Sequence, residues 1–214
     1  MNKKILINNT LWFFFGVLIS IAVTFLGFSV LIHWGNIKTI PNATTFSNQL
    51  YNLITCFSGV FLEELIFRYW FFNSLKTNFK SFLWPAIISS ALFSFLRHID
   101  TNSFHPIALV SSFLGGIIYC YALDATKNIA FPIGLHYGWQ YIQVFFTLPT
   151  STEFRSGIVK AILPNNELLL FGGNYGIEDG LISLCFRLVI LIILLIYVKY
   201  GIKSKNDLLI NAHD

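Results

Sequence analysis

Six stretches of the chain are apolar and nearly free of charge, which is the pattern of helices that cross a membrane. Residues 11–32 contain no charged side chain, and a helix needs about 20 apolar residues to cross a hydrocarbon core. Five further stretches follow, at residues 49–72, 82–98, 106–123, 129–148 and 181–200. The pattern predicts an all-α, polytopic bundle of about six transmembrane helices, organised as a single domain over residues 1–214.

The basic residues of the predicted loops indicate the orientation, because cytoplasmic loops of membrane proteins are enriched in Lys and Arg. If the N-terminus lies inside, eight lysines fall on the inner side: Lys3, Lys4, Lys76, Lys80, Lys127, Lys199, Lys203 and Lys205. Four basic residues then fall on the outer side: Lys38, Arg97, Arg155 and Lys160. We therefore expect both termini to be cytoplasmic.

Composition excludes several other classes of protein. Only 11 % of the residues are charged and 55 % are hydrophobic, whereas a soluble domain carries about 25 % charged residues. The net charge of +4 is scattered through apolar sequence, so the clustered basic face of a nucleic-acid-binding protein is missing. Cys56, Cys120 and Cys185 all lie inside apolar runs, which indicates neither disulfides nor a thiolate zinc site. The expected surroundings are a lipid bilayer.

Three charged residues interrupt the second span, where charge is costly and therefore marks a functional candidate. Glu64 and Arg68 are four residues apart, so they share one helix face and are able to pair. Glu63 lies about 100° away around the helix and needs another partner. The spacing predicts one structural carboxylate and one that is free for chemistry, although both acids bracing the bundle through Arg68 stays an alternative.

Two histidines lie in comparable positions. His98 ends the third span, and His136 lies in the fifth span with Gln140 four residues later. Residues four apart on a helix point to one place, so His136 and Gln140 are predicted to present two hydrogen-bonding groups together.

These motifs, taken in order, resemble a known family. Glu63-Glu64-x-x-x-Arg68, followed by His98 and then by His136 in Ile-Gly-Leu-His-Tyr-Gly-Trp, is similar to the CPBP family of intramembrane proteases. That family includes type II CAAX prenyl endopeptidases and the bacteriocin-processing and immunity proteins called Abi. The resemblance covers about residues 57–184, including a glycine-rich stretch at 172–180. Two positions depart from the family pattern: Ser94, where Phe commonly precedes the histidine by four, and Gln140, which replaces Asn.

The resemblance implies an endopeptidase that hydrolyses a peptide or a membrane-associated protein, and an integral protein of the bacterial cytoplasmic membrane. Glu63 is then the general base that activates water, and His98 helps to position that water. His136 and Gln140 donate hydrogen bonds to the oxyanion, while Glu64 and Arg68 hold the helix. Glu63 lies at mid-span and His98 near a helix end, so the two meet only if their helices are tilted or offset.

Three alternatives stay open. No metal cofactor is favoured, but zinc held by His98, His136 and Glu63 would leave a coordination position for water, although no HExxH motif supports it. A non-catalytic immunity or scaffold protein of the same fold is the second alternative, motivated by Gln140. A small transporter or proton relay is the third, because intramembrane Glu and His residues also serve that role.

Overall fold

The computed structural model describes residues 3–34, 37–99, 105–148, 157–164 and 168–202. These residues form eight α-helices: α1 (Lys3–His33), α2 (Phe46–Glu64), α3 (Asn73–Phe79), α4 (Leu83–His98), α5 (Pro106–Thr126), α6 (Ala130–Phe145), α7 (Leu168–Phe171) and α8 (Leu181–Tyr197). The six predicted spans correspond to α1, α2 with its continuation, α4, α5, α6 and α8. The prediction of an all-α bundle of about six long helices is confirmed.

Four of the described helical stretches are long and apolar enough to cross a membrane. They are Asn8–His33, Phe46–Phe79, Pro106–Thr126 and Leu181–Tyr200. α4 and α6 have only 16 residues each, which is shorter than a straight span of about 20 residues. These four apolar helices indicate that the chain is a membrane protein. The orientation stays a prediction, and the side chains of Lys3 and Lys4 and residues 155, 203 and 205 lie outside the described residues.

A short antiparallel ladder was not expected from the sequence. β1 (Lys38–Pro41) pairs with β2 (Val159–Ile162), and Lys38 lies opposite Ile162. Strands of four residues carry too little alternation to be distinguished from a loop. The ladder connects the segment after α1 to the long connection between α6 and α8, of which residues 149–156 and 165–167 lie outside the described parts.

The helical stretch that carries the charged motif changes its winding. α2 continues without a break into a π-helix over Leu65–Phe72 and then into α3. The change begins directly after Glu64, and Arg68 lies inside the π-helical segment. A π-helix is rare and commonly occurs at functional sites.

Close packing of α6 against α1 brings the site residues into the centre of the bundle. A Cβ atom on Gly134 would lie 2.1 Å from the carbonyl oxygen of Phe13, and one on Gly16 would lie 2.5 Å from the carbonyl oxygen of Phe131. Ser20 of α1 also donates a hydrogen bond to the carbonyl oxygen of Leu135, at 2.7 Å. Small residues permit such close approach in membrane bundles, and α6 is therefore buried along most of its length.

Candidate active site

Glu63 occupies the last turn of α2, where its carboxylate meets side chains from α4 and α6. Its oxygens lie 3.2 and 3.3 Å from Nη1 of Arg97, and Oε2 lies 3.5 Å from Nε2 of His136. The sequence analysis did not identify an ion-pair partner for Glu63, and the structure shows that this partner is Arg97. The side chain of Glu63 is 32 % exposed, so its carboxylate is accessible.

A small cavity lies beside Glu63. Its volume is about 70 Å³, and Glu63, Arg97 and Gln140 form its polar wall. A single water needs about 10–15 Å³ measured in this way, so the cavity has room for several water molecules. Cys56 and Gly59 of α2 line the cavity further along the helix, and a Cβ atom on Gly59 would have no neighbour within 4 Å.

Glu64 faces the opposite way and is completely enclosed. Its Oε1 lies 3.3 Å from Nη1 of Arg68, and neither side chain has exposed area. This is the pairing that the four-residue spacing predicts. The guanidinium group of Arg68 also lies over the rings of Phe93 and Tyr119, at 4.1 and 5.2 Å from their centroids. Cation–π attraction offsets part of the cost of burying the charge.

His136 bridges the two carboxylates. Its Nδ1 lies 2.8 Å from Oε1 of Glu64. With Glu64 ionised beside Arg68, the carboxylate only accepts hydrogen bonds, and this assigns the proton to Nδ1. In the neutral ring Nε2 is therefore an acceptor, and it faces Glu63. The charges of this cluster balance without a proton on His136, because three carboxylates meet three guanidinium groups among the described residues: Glu63, Glu64, Glu178, Arg68, Arg97 and Arg187.

Arg97 connects Gln140 to this cluster. Nη2 of Arg97 donates a hydrogen bond of 2.8 Å to Oε1 of Gln140 and lies 3.7 Å from Oε1 of Glu178. Arg97 therefore does not belong among the outer loop residues that were expected to indicate the orientation. Arg97 lies in α4 and its side chain is only 7 % exposed, because it packs inward against three polar partners.

His98 points away from this group although it follows Arg97 directly. Its Nδ1 lies 2.5 Å from the hydroxyl of Tyr175, and its Nε2 lies 3.0 Å from the hydroxyl of Ser112. Successive helical residues are rotated by about 100°, so the two side chains diverge toward different neighbours. The structure thus brings together Glu63, Glu64, Arg68, His136 and Gln140, and it places His98 in an adjacent polar group. Its role in positioning water stays a prediction.

Glu178 is a site residue that the sequence analysis missed. It is completely buried and accepts hydrogen bonds from Nε1 of Trp139 at 3.3 Å and from Nε2 of Gln143 at 3.5 Å. Burial alone would raise the pKa of Glu178, but the guanidinium groups of Arg97 and Arg187 outweigh that effect and hold the pKa below its ordinary value. The preceding turn uses Gly172 and Gly176 at φ of 76° and 92°, conformations that glycine adopts readily.

Arg187 of α8 is the second site residue that the sequence analysis missed, and it forms an ion pair with Glu178. Its Nη2 lies 3.9 Å from Oε1 of Glu178, and its Nε donates a hydrogen bond of 2.8 Å to the hydroxyl of Ser111. The signal was present in the sequence, because Arg187 is a charged residue inside the last apolar span. Intramembrane charge marks a functional candidate wherever it occurs.

The three ligands of the zinc alternative, Glu63, His98 and His136, do not converge. The ring nitrogens of His98 face Tyr175 and Ser112 rather than Glu63 and His136. Within residues 3–34, 37–99, 105–148, 157–164 and 168–202, no group of three or more His, Cys, Asp or Glu side chains is arranged to hold a metal ion. The arrangement does not fit a zinc site, and we derive no step through a metal.

Fold and site together define a multi-spanning membrane protein with a charge-balanced Glu–Arg–His cluster beside a cavity in the bundle. A family model described as "Type II CAAX prenyl endopeptidase Rce1-like" matches residues 45–142, just under half of the chain. The match confirms the resemblance drawn from the motifs, and at the level of the family this region is similar to intramembrane CAAX-type proteases. Comparisons with curated proteins and with solved structures gave no match.

Proposed function

We propose that this protein is an intramembrane endopeptidase in which Glu63 activates water at the cavity. One observation carries the proposal: the carboxylate of Glu63 and Nε2 of His136 face each other across 3.5 Å beside a cavity with room for water. Two hydrogen-bond acceptors so placed are able to share one donor molecule. The family match over residues 45–142 supports the same reaction class.

In this proposal a water molecule lies to one side of the two acceptors and bridges them, because the 3.5 Å between them is too short for a water on the line that joins them. A water oxygen about 2.8 Å from each acceptor donates one hydrogen to Glu63 and one to His136, which leaves its lone pairs turned away from both. Glu63 takes one proton, and the hydroxide oxygen attacks the carbonyl carbon of the substrate peptide. Glu63 then returns the proton to the nitrogen that leaves. Glu64 holds His136 in the tautomer that this requires.

In this proposal Arg97 and Gln140 are the donors to the developing oxyanion. Both line the cavity, and because Oε1 of Gln140 accepts from Arg97, the donor end of the Gln140 amide is the Nε2 group with its two hydrogens. Preorganised donors of this kind supply a large part of catalysis in acyl-transfer sites. The predicted oxyanion contact from His136 requires a protonated ring. In the neutral tautomer His136 orients the water instead.

The substrate we propose is an extended segment of a peptide or membrane-associated protein. Gly59 leaves the α2 wall of the cavity without a side chain, which gives a chain room to pass close to the helix backbone. The described lining of the cavity does not distinguish a prenylated substrate from an unmodified one, so we propose a peptide segment and assign no prenyl group.

A non-catalytic protein of the same fold is the second candidate, and the ion pair between Glu63 and Arg97 favours it. Both carboxylate oxygens of Glu63 lie within 3.3 Å of Nη1 of Arg97. A carboxylate that is engaged in this way has fewer lone pairs left for a water molecule. In a non-catalytic protein of this kind, Arg97 would keep the carboxylate of Glu63 in an ion pair and away from water.

Cleavage of a peptide library by the reconstituted protein tests the proposal. Glu63→Gln keeps the shape of the side chain and removes the base, so we expect cleavage to fall by about 10²–10⁴-fold, with an unchanged melting temperature. Products that are identical for wild type and Glu63→Gln would remove the enzyme hypothesis. A wild type without any cleavage, together with gain of cleavage in Arg97→Met, would establish the second candidate.

A further inference from the structure

A second cavity lies at the C-terminal end of the continuous helical stretch that carries Glu63. Its volume is about 390 Å³, and its polar lining comes from four segments of the chain: Asn9, Asn73, Lys76, Asp124, Lys127 and Asn128. Lys76 follows Glu63 by thirteen residues, which corresponds to about 20 Å along a helix. The second cavity is therefore separate from the proposed water site.

The charges in this cavity are unequal. The ammonium groups of Lys76 and Lys127 both contact Oδ1 of Asp124, so two cations share one carboxylate and the group has a net positive charge. Asn128 donates a hydrogen bond of 2.7 Å to Asn9, which connects the first turns of α1 to the turn before α6 at the wall of the cavity. An anion that enters meets ammonium and amide donors together.

The cavity lies where the membrane-spanning helices end. Asp124 is in the last turn of α5, and Lys127 and Asn128 form the turn that leads into α6. Tyr69, which also lines the cavity, and its neighbour Trp70 are 60 % and 67 % exposed. Tyr and Trp with exposed rings are enriched at the headgroup level of a bilayer. The helix ends and these exposed rings favour a position of the donors at the depth of lipid phosphates.

We propose that this cavity binds a phosphate group, as presented by the headgroup of an anionic phospholipid or by a free phosphate. The ammonium groups of Lys76 and Lys127 supply the charge and the asparagine amides supply neutral donors, while Asp124 neutralises only one of the two positive charges. Basic residues near an anionic membrane surface each contribute about 1 kcal/mol. The inference is independent of the proposed protease activity, because the site shares no residue with the cavity at Glu63.

Lipid retention by the full-length protein tests the proposal. The purified protein is exchanged into detergent with either phosphatidylglycerol or phosphatidylcholine, and bound lipid is counted by native mass spectrometry. We expect selective retention of phosphatidylglycerol, and Lys76→Gln or Lys127→Gln should each reduce it about fivefold. Asp124→Asn should increase it, because both ammonium groups are then released from a competing carboxylate.

Lys80→Gln is the matched control. Lys80 and Lys127 both end a helix with a left-handed backbone, at φ of 50° and 54°, but only Lys127 lines the cavity. Equal loss of lipid in Lys80→Gln and Lys127→Gln would overturn the proposal, since the effect would then be one of general surface charge. A decrease in Asp124→Asn with an unchanged melting temperature would also overturn it.

A competition arm identifies the source of the phosphate. Inorganic phosphate and glycerol phosphate are added to the lipid-loaded protein. Displacement at concentrations similar to that of the lipid supports a free phosphate ligand, and no displacement supports the lipid headgroup. A phosphate site would be excluded if the protein retained phosphatidylglycerol and phosphatidylcholine equally and if neither soluble phosphate raised its melting temperature.

Discussion

Glu63 and Glu64 are neighbours in the chain but belong to two different regions of the polar cluster. The cavity side consists of Glu63, Arg97 and Gln140, and its carboxylate is one-third exposed. The enclosed side consists of Glu64 and Arg68, neither of which has any exposed side-chain area. His136 contacts both sides, through Nε2 and Nδ1 respectively.

The difference shows how one helix places a carboxylate proposed for catalysis and a structural carboxylate on different faces. Rotation by about 100° per residue turns one carboxylate to water and the other to the interior. On the enclosed side the nitrogen atoms of Arg68 have no hydrogen-bond partner among the described residues, so its charge is balanced by Glu64 and by aromatic faces. A group held in this way stabilises the fold only as long as its partner is present.

Arg68→Met should have the largest effect on stability. It leaves Glu64 as a buried charge without its cation, and breaking a buried pair in this way costs about 3–5 kcal/mol. Glu64→Gln combined with Arg68→Met should recover part of that loss, because neither charge then remains. The free energy of unfolding in mixed micelles measures both. A double variant that is less stable than Arg68→Met would show that Glu64 is stabilised by other groups.

Arg97→Lys tests the cavity side with the charge retained. An ammonium group lacks the planar fork of a guanidinium, so it cannot contact Glu63 and Gln140 with the same geometry. We expect kcat to fall about a hundredfold, the cost of misplacing a catalytic group by about 1 Å, with a melting temperature close to that of wild type. Equal losses of kcat and of stability would remove the distinction between the two sides.

Gly115→Ala tests the tight packing around Arg187. The added Cβ atom would lie 1.8 Å from Nη1 of Arg187, and overpacking of this kind costs about 1–3 kcal/mol. Gly59→Ala on the cavity side is the control, because its Cβ atom meets nothing within 4 Å. It should leave stability unchanged or raise it by about 0.5–1 kcal/mol. A destabilising Gly59→Ala would mean that the α2 wall is already filled.

A strong chelator should have the smallest effect. The predicted ligands Glu63, His98 and His136 do not converge on one point, so incubation with chelator followed by its removal should leave the rate of peptide cleavage unchanged. Buffer without chelator is the control. Lasting inactivation that zinc reverses would contradict this expectation. It would indicate that His98 is a zinc ligand beside the catalytic water.

Several features follow from the sequence because they depend on local geometry alone. The number and positions of the long helices follow from runs of apolar residues, since a helix that crosses lipid satisfies its backbone internally. The contact between Glu64 and Arg68 follows from a four-residue spacing on one helix. The family resemblance follows from the order of the motifs.

Other features were decided only by how the helices pack. Which side chain meets Glu63, where His98 points and how Glu178 enters the cluster all depend on the rotation and approach of separate elements. Arg97 and His98 were equally placed in the sequence, and packing turned one toward Glu63 and the other toward Tyr175. Contacts between distant segments depend on close fits such as Gly134 against Phe13, and spacing along the chain carries no information about such fits.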